Sequence, residues 1–205
     1  MNRRTLVTGH LGYVGTVLTP ELAARGHDLI GCDIDLYRAC TVADLPPTLT
    51  MPRSDFRDLE SGDLRGIDTI VHLAGLSNDP LGDLDERLTF EINHETAARL
   101  AERARRAGVR RFIAASSCSV YGAAGADWLD EASPTAPLTA YARAKLALER
   151  ALREQAALGL EVVILRPGTV FGFSPRLRFD LVVNNLAAWA MTTGRLYLKS
   201  TGNAW

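Results

Sequence analysis

One turn constrains this chain more than anything else in it. Thr8-Gly9-His10-Leu11-Gly12-Tyr13-Val14-Gly15 joins a short apolar strand pattern, Arg4–Thr8, to a helical pattern, Tyr13–Arg25, which Gly26 ends. Glycines there let the backbone turn tightly. They also let a pyrophosphate approach the N–H groups at the head of the helix, where the dipole favours negative charge. The spacing alone is weak; its place between the first strand and the first helix gives it weight. A second strand, Asp28–Asp33, ends on an acid. A carboxylate at that point accepts hydrogen bonds from adenosine ribose hydroxyls and repels a 2′-phosphate, so the pattern predicts NAD rather than NADP. Arg38, close by, argues the other way.

Strand and helix patterns go on alternating. A short strand is expected near Thr50–Ser54 and a buried β-branched strand at Thr69–Leu73. A long helix is expected over Asp85–Ala107, with Leu88, Ile92, Ala97 and Leu100 near one face. A strand at Arg111–Ser116, a helix at Tyr141–Leu158 and a strand at Glu161–Arg166 follow. This order predicts an α/β fold, a doubly wound parallel sheet with helices on both sides and ligands beyond the carboxyl ends of the strands. After Arg166 the pattern changes to a loop at Pro167–Arg178, a helix at Phe179–Thr193 and a short strand at Leu196–Lys199.

Composition narrows the partners. The 205 residues, 47% apolar and 23% charged, suffice for one sizeable core. A net charge of −1 argues against nucleic acid. Arg103, Arg105, Arg106, Arg110 and Arg111 gather at the end of a predicted helix, where cations suit the dipole, and read as a solvated face. Cys32, Cys40 and Cys118 have no metal or CxxC spacing and suit a reducing compartment. With no secretory pattern and no apolar run near membrane length, a cytoplasmic protein without a membrane partner is expected. His10, His27, His72 and His94 lack metal-ligand spacing, so no metal is expected; His72 reads as a satisfied core histidine. Trp189 and Met191 read as packing residues, and Cys118 as a packed or wall residue.

A second constellation carries chemistry. Tyr141-Ala142-Arg143-Ala144-Lys145 sets a phenol and an ammonium one turn apart on one helix face. A neighbouring cation favours the tyrosinate, which makes Tyr141 a candidate general base. YxxxK alone is common. Here Ser116-Ser117-Cys118-Ser119-Val120-Tyr121-Gly122 follows the fifth strand and brings hydroxyls to a carboxyl strand end, where Ser117 can hydrogen-bond the oxygen that Tyr141 deprotonates.

With these pieces in order, the chain resembles the extended short-chain dehydrogenases of the NAD-dependent epimerase/dehydratase family. The matching residues are TGHLGYVG, Asp33, SDFRD, HLAG, the pair Asn93 and Thr96, SSCSVYG, YARAK and LRPGTVFG. The resemblance implies a Rossmann domain over residues 1–170 and, over 171–205, only the beginning of a C-terminal substrate lobe, as in a shortened chain. It implies a cofactor site of Gly9, Gly12, Tyr13, Val14, Gly15, Asp33, Asp55, Phe56, Leu73, Ala74, Gly75, Asn93, Tyr141, Lys145 and Pro167, with Asp55 and Phe56 flanking the adenine and Pro167 beside the nicotinamide. Ser117, Tyr141 and Lys145 would be catalytic. Ser77, Ser117, Ser119, Thr169, Tyr197 and Leu198 would meet a nucleotide-sugar, the last two near its base; Asn78 shares the variable loop of Ser77. Helices 85–107 and 141–158 resemble those that pair in a homodimer.

Two departures bear on the reaction. Family dehydratases carry Asp-Glu just after the serine, where this chain has Cys118 and Ser119. That favours epimerisation through a transient keto-sugar over 4,6-dehydration. Thr169 stands where many nucleotide-sugar enzymes have Asn. A dehydratase or reductase on the same scaffold, or an NAD-binding sensor without turnover, are the alternatives.

Overall fold

The computed structural model describes residues 4–198 apart from 46, 48, 53, 78–83 and 124–127. Six parallel strands form one sheet: β1 (Arg4–Thr8), β2 (Asp28–Cys32), β3 (Leu49–Thr50), β4 (Ile67–His72), β5 (Arg111–Ala115) and β6 (Glu161–Leu165). Their spatial order is β3-β2-β1-β4-β5-β6. The chain therefore winds one way from β1 to β3 and the other way from β4 to β6. Right-handed crossovers put the intervening helices on opposite faces, and the winding reverses between β1 and β4. This is the expected Rossmann-type sheet.

Helix α1 (Gly15–Ala24) follows the glycine turn. The long helix expected over 85–107 is three pieces: α2 (Glu86–Phe90), a π-helical segment (Glu91–Thr96) and α3 (Ala97–Arg106). Asp85 caps α2, its carboxylate accepting from Leu88 N–H at 2.9 Å. Helix α4 (Ala140–Ala157) starts on Thr139, whose hydroxyl accepts from Ala142 N–H at 3.1 Å. Helix α5 (Val182–Thr193) ends at Gly194, in the left-handed conformation that glycine adopts without penalty. The core lies between the sheet and α3 and α4, with Leu6, Ile70, Phe112, Leu100, Leu148 and Leu152 almost fully enclosed.

Two expectations fail here, and a third is met only at its edge: strand β3, expected near Thr50–Ser54, is Leu49–Thr50. Pro52 has no N–H to give to a ladder, so pairing stops early. Residues 196–198 form no strand; no neighbouring strand takes their hydrogen bonds among the described residues, and Lys199 and Trp205 lie outside those. Met191, expected to pack, is 87% exposed, and Trp189 is only partly covered on α5. The arginine cluster is solvent-facing as expected, but held by acids: Arg103 on Glu60, Arg106 on Glu102, Arg110 on Asp68 and Glu161, Arg111 on Glu161.

Candidate active site

The glycine turn sits where the winding reverses, and its glycines do different jobs. A side chain on Gly9, at φ +76°, would meet Ala74 N at 2.7 Å, so the loops after β1 and β4 touch there. A Cβ on Gly15 would stand 2.2 Å from Gly9 O. Both are glycines because the fold leaves no room. Gly12 differs: its Cβ would meet only Gly9 O, at 3.2 Å. Space for a side chain remains at Gly12, just before α1, where backbone N–H groups at a helix head favour negative charge. His10 is buried, and its ring lies so close to Gly31 that a Cβ there would meet the ring carbons at 2.4–2.5 Å. It shapes the turn by packing.

Asp33 follows β2 and fixes the turn. One carboxylate oxygen accepts from Leu11 N–H at 2.9 Å, the other from Asp35 N–H at 2.8 Å. A carboxylate offers about four acceptor sites, so capacity remains for ribose hydroxyls. Arg38 is largely exposed and reaches Asp35 at 3.9 Å rather than Asp33. Asp55 caps the short turn Phe56–Asp58 and is gripped by Arg57 at 2.7 Å. Burial pushes its carboxyl up, but the hydrogen bonds from Arg57 outweigh that and hold it below the usual range. Phe56 is a core residue, packed edge-on to His72 with ring centres 5.0 Å apart. Beneath the crevice, His72 Nδ1 meets Thr8 Oγ1 at 2.7 Å, while its Nε2 has no partner, so this histidine is half-satisfied. Burial pushes its pKa down to about 3, so it is a neutral core residue.

The π-helical segment has a visible purpose. Buried Asn93 turns its amide onto the loop after β4, accepting from Leu76 N–H and donating to Leu76 O, both at 2.8 Å. Gly75 lies between two site groups: a Cβ there would be 2.6 Å from Asn93 Oδ1 and 3.7 Å from Lys145 Nζ. Leu73 and Ala74 line the same loop, half-buried.

Tyr141 and Lys145 share the inner face of α4. Lys145 Nζ donates to Ala115 O at 2.9 Å and lies 5.8 Å from the centre of the Tyr141 ring. Burial pushes its pKa down to about 8, which leaves it a cation at neutral pH. Ser117 caps the turn Cys118–Tyr121, against which α4 packs. Its Oγ accepts from Ser119 N–H at 3.1 Å and from the Ser119 hydroxyl at 2.8 Å, leaving its own proton for an outward bond. Cys118 is exposed, not packed; its N–H donates to Pro167 O at 3.0 Å, tying the loops after β5 and β6 together. Thr169 is exposed just beyond.

Sequence reasoning missed the segment that follows. Alternate residues of Gly172–Arg178 reach across the carboxyl edge of the sheet. Tyr13 Oη donates to Gly172 O at 2.8 Å, Ser174 Oγ meets Thr16 Oγ1 at 2.9 Å, Arg176 pairs with Asp35, and Arg178 Nη1 donates to Ser77 Oγ at 2.8 Å. Beyond it, Phe179, Asn185, Ala188, Trp189 and Thr192 line a groove of about 230 Å³. Tyr197 packs edge-on to Trp189, ring centres 5.3 Å apart, and Leu198 is exposed beside it. Ser77 is within reach of Arg178, whereas Asn78 lies outside the described residues. Among the described residues no helix is long and apolar enough to cross a membrane, and no group of three or more His, Cys, Asp or Glu is placed to hold a metal.

Comparisons with known proteins agree with this geometry. Over 179 residues the chain is 34% identical to a UDP-glucose 4-epimerase of Mycolicibacterium smegmatis, covering 82% of this chain and 56% of that protein. It is also 34% identical over 185 residues to the sterol demethylase protein B of Methylococcus capsulatus, 84% of this chain and 54% of the relative. The chain thus spans about half the length of these relatives. Among solved structures, MoeE5 in complex with UDP-glucose and NAD superposes with a TM-score of 0.79 at 32% identity, over 94% of this chain and 62% of that one. TunA, an NAD dependent NDP-hexosamine 5,6-dehydratase, does so with a TM-score of 0.85 at 27% identity, over 98% and 65%. The family model of the NAD dependent epimerase/dehydratase family matches residues 5–205, and the chain belongs to that family.

Proposed function

We propose that this chain is the NAD-binding and proton-transferring part of a nucleotide-sugar epimerase. The observation that carries the reading is the buried Lys145 ammonium held beside the Tyr141 ring on Ala115 O, next to the hydroxyl-bearing turn of Ser117. The open space over Gly12 and the spare acceptor capacity of Asp33 support NAD as the cofactor. Gly9, Gly12, Tyr13, Val14 and Gly15 would hold its diphosphate, Asp33 its adenosine ribose, Asp55 and Phe56 its adenine, and Leu73, Ala74, Gly75, Asn93 and Pro167 the path to the nicotinamide. When bound, NAD supplies a reversible hydride acceptor.

The side chains do the rest. Ser117 donates to a sugar hydroxyl oxygen and fixes it. Tyr141, as phenolate beside the Lys145 charge, takes that hydroxyl's proton as the carbon is oxidised, and returns it when the keto-sugar is reduced from its other face. Ser119 holds Ser117. Ser77 and Thr169 line the sugar, and the groove by Tyr197 and Leu198 takes the nucleotide base. Residues 1–170 form the cofactor domain, and 171–205 begin the substrate side. Helices α2 to α4 pair in a homodimer. Cys118 and Ser119, in place of an acid pair, favour epimerisation over water loss. The likeness to TunA keeps a dehydratase as the second reading.

The test is turnover of UDP-glucose as probe by the NAD-loaded chain and by Tyr141→Phe. Hydroxyl inversion without loss of water, abolished in Tyr141→Phe while NAD affinity stays within about threefold, supports the reading. A product lacking the elements of water favours the dehydratase. Turnover that survives Tyr141→Phe refutes Tyr141 as the base.

A further inference from the structure

Four residues tie the catalytic elements together below the reacting groups. Glu149 lies one turn beyond Lys145 on α4, and its side chain is only 1% exposed. Its Oε1 accepts from Ser116 Oγ at 2.6 Å and from Arg166 Nε at 2.8 Å, and its Oε2 accepts from Arg166 Nη2 at 2.6 Å. Arg166 Nη1 donates to Tyr121 Oη at 3.0 Å, and the guanidinium lies 5.0 Å from the Tyr121 ring centre. Arg153, at the rim, reaches Glu149 Oε2 at 3.3 Å. Burial pushes the Glu149 carboxyl up, but hydrogen bonds from Arg166 and Ser116 outweigh that and hold it ionised.

The connections matter more than the pair itself. Ala115 and Ser116 are consecutive residues at the exit of β5. Lys145 grips the first through its carbonyl and Glu149 grips the second through its hydroxyl. Two successive turns of α4 thus fix the two residues before Ser117. Tyr121 ends the turn that Ser117 caps, and Arg166 precedes Pro167, whose carbonyl takes the Cys118 N–H. A bidentate arginine–carboxylate pair has a fixed geometry, which suits it to set a register between elements.

We propose that Glu149 is a positioning residue: through Ser116 and Arg166 it sets the Ser117 turn against Tyr141. The inference rests on the reading of Ser117 and Tyr141 as one proton-handling unit. It predicts that the two residues lose their mutual influence when the Glu149 contacts are altered.

The experiment is a double-mutant cycle on the full chain with NAD added. The phenol titration of Tyr141 is read as the ultraviolet difference between each protein and its Tyr141→Phe counterpart. In the parent, Ser117→Ala changes the ionisation constant by about threefold or more, as for residues sharing one network. Glu149→Asp keeps the charge but draws the carboxylate back from Ser116; Ser116→Ala deletes one hydroxyl and leaves the ion pair, so it serves where Glu149→Asp does not fold. In both backgrounds the Ser117→Ala step is expected to fall below half its parental size, with NAD affinity held within about twofold. An undiminished step alongside a lowered melting temperature makes Glu149 a fold anchor only and overturns the proposal. No Ser117→Ala effect in the parent itself means that the Ser117–Tyr141 unit is absent, and the functional reading falls together with the inference.

Discussion

Two alanine substitutions in the glycine turn separate folding from cofactor binding. At Gly15 the new Cβ would lie 2.2 Å from Gly9 O, 2.6 Å from His10 Cα and 2.7 Å from His10 C. All three neighbours are backbone, so relief requires β1 and α1 to part by roughly 1 Å; overpacking of this kind costs about 1–3 kcal/mol, and the upper end applies where no side chain can yield. For a chain of this length about 3 kcal/mol lowers the melting temperature by roughly 6–12 °C. At Gly12 the Cβ meets only Gly9 O at 3.2 Å, a few tenths of an ångström too close. Lower entropy of the unfolded chain, worth about 0.4–1 kcal/mol, offsets that cost, so Gly12→Ala keeps its stability within about 1 kcal/mol. The methyl group nevertheless stands where the diphosphate is placed, and NAD affinity falls at least about tenfold. Urea unfolding and calorimetric titration with NAD measure both quantities on the same samples. A folded Gly12→Ala protein that binds NAD as tightly as the parent refutes the placement of the diphosphate. A Gly15→Ala protein as stable as the parent refutes the packing argument.

Other consequences follow from buried charge. Lys145 titrates near pH 8 in the fold against 10.5 unfolded, so the unfolded chain holds more protons between those values and stability rises with pH across that window. Below pH 8 its burial costs on the order of 3 kcal/mol; Lys145→Met is expected to raise the melting temperature at pH 7, as read by thermal melts, while removing turnover. His72, whose pKa burial pushes from 6.5 to about 3, works in the other window: stability is lost as pH falls from 6.5 towards 3, and acid titration of urea midpoints measures it. Arg176 is 3% exposed, with Nε and Nη1 unpartnered beside its pair with Asp35. Arg176→Met is therefore expected to be neutral or stabilising in urea unfolding, whereas Asp35→Ala strands a buried cation and costs about 3–5 kcal/mol.

The parts of the fold that obey a short-range rule were legible in the amino-acid order. β1 and β5 are short strands with apolar centres, and the helix expected at Tyr141–Leu158 is α4 within a residue at each end. The glycine turn, Asp33 and the Tyr141–Lys145 pair were legible because each needs a particular residue type at a particular distance along the chain. Asn93 could not be placed this way: its inward amide requires a π-helical turn, whose one trace in the apolar repeat is the five-residue step from Ile92 to Ala97, too slight a departure to mark a turn of that kind. The Gly172–Arg178 segment reads as a plain loop, since its partners Tyr13, Thr16 and Asp35 lie more than a hundred residues earlier. Glu149 did leave a signal. It is a charged residue one turn past Lys145, on a face whose neighbours Leu148 and Leu152 are core, and a charge there needs a buried partner.

The cofactor site is tested most directly by calorimetric titration of NAD, and separately of NADP, into the chain and into Asp33→Ala. NAD is expected to bind, NADP at least about tenfold more weakly, and Asp33→Ala is expected to lose at least about tenfold in NAD affinity while staying folded by circular dichroism. Undiminished NAD binding by folded Asp33→Ala, or equal binding of the two dinucleotides by the parent, contradicts a ribose held on the carboxylate at the end of β2.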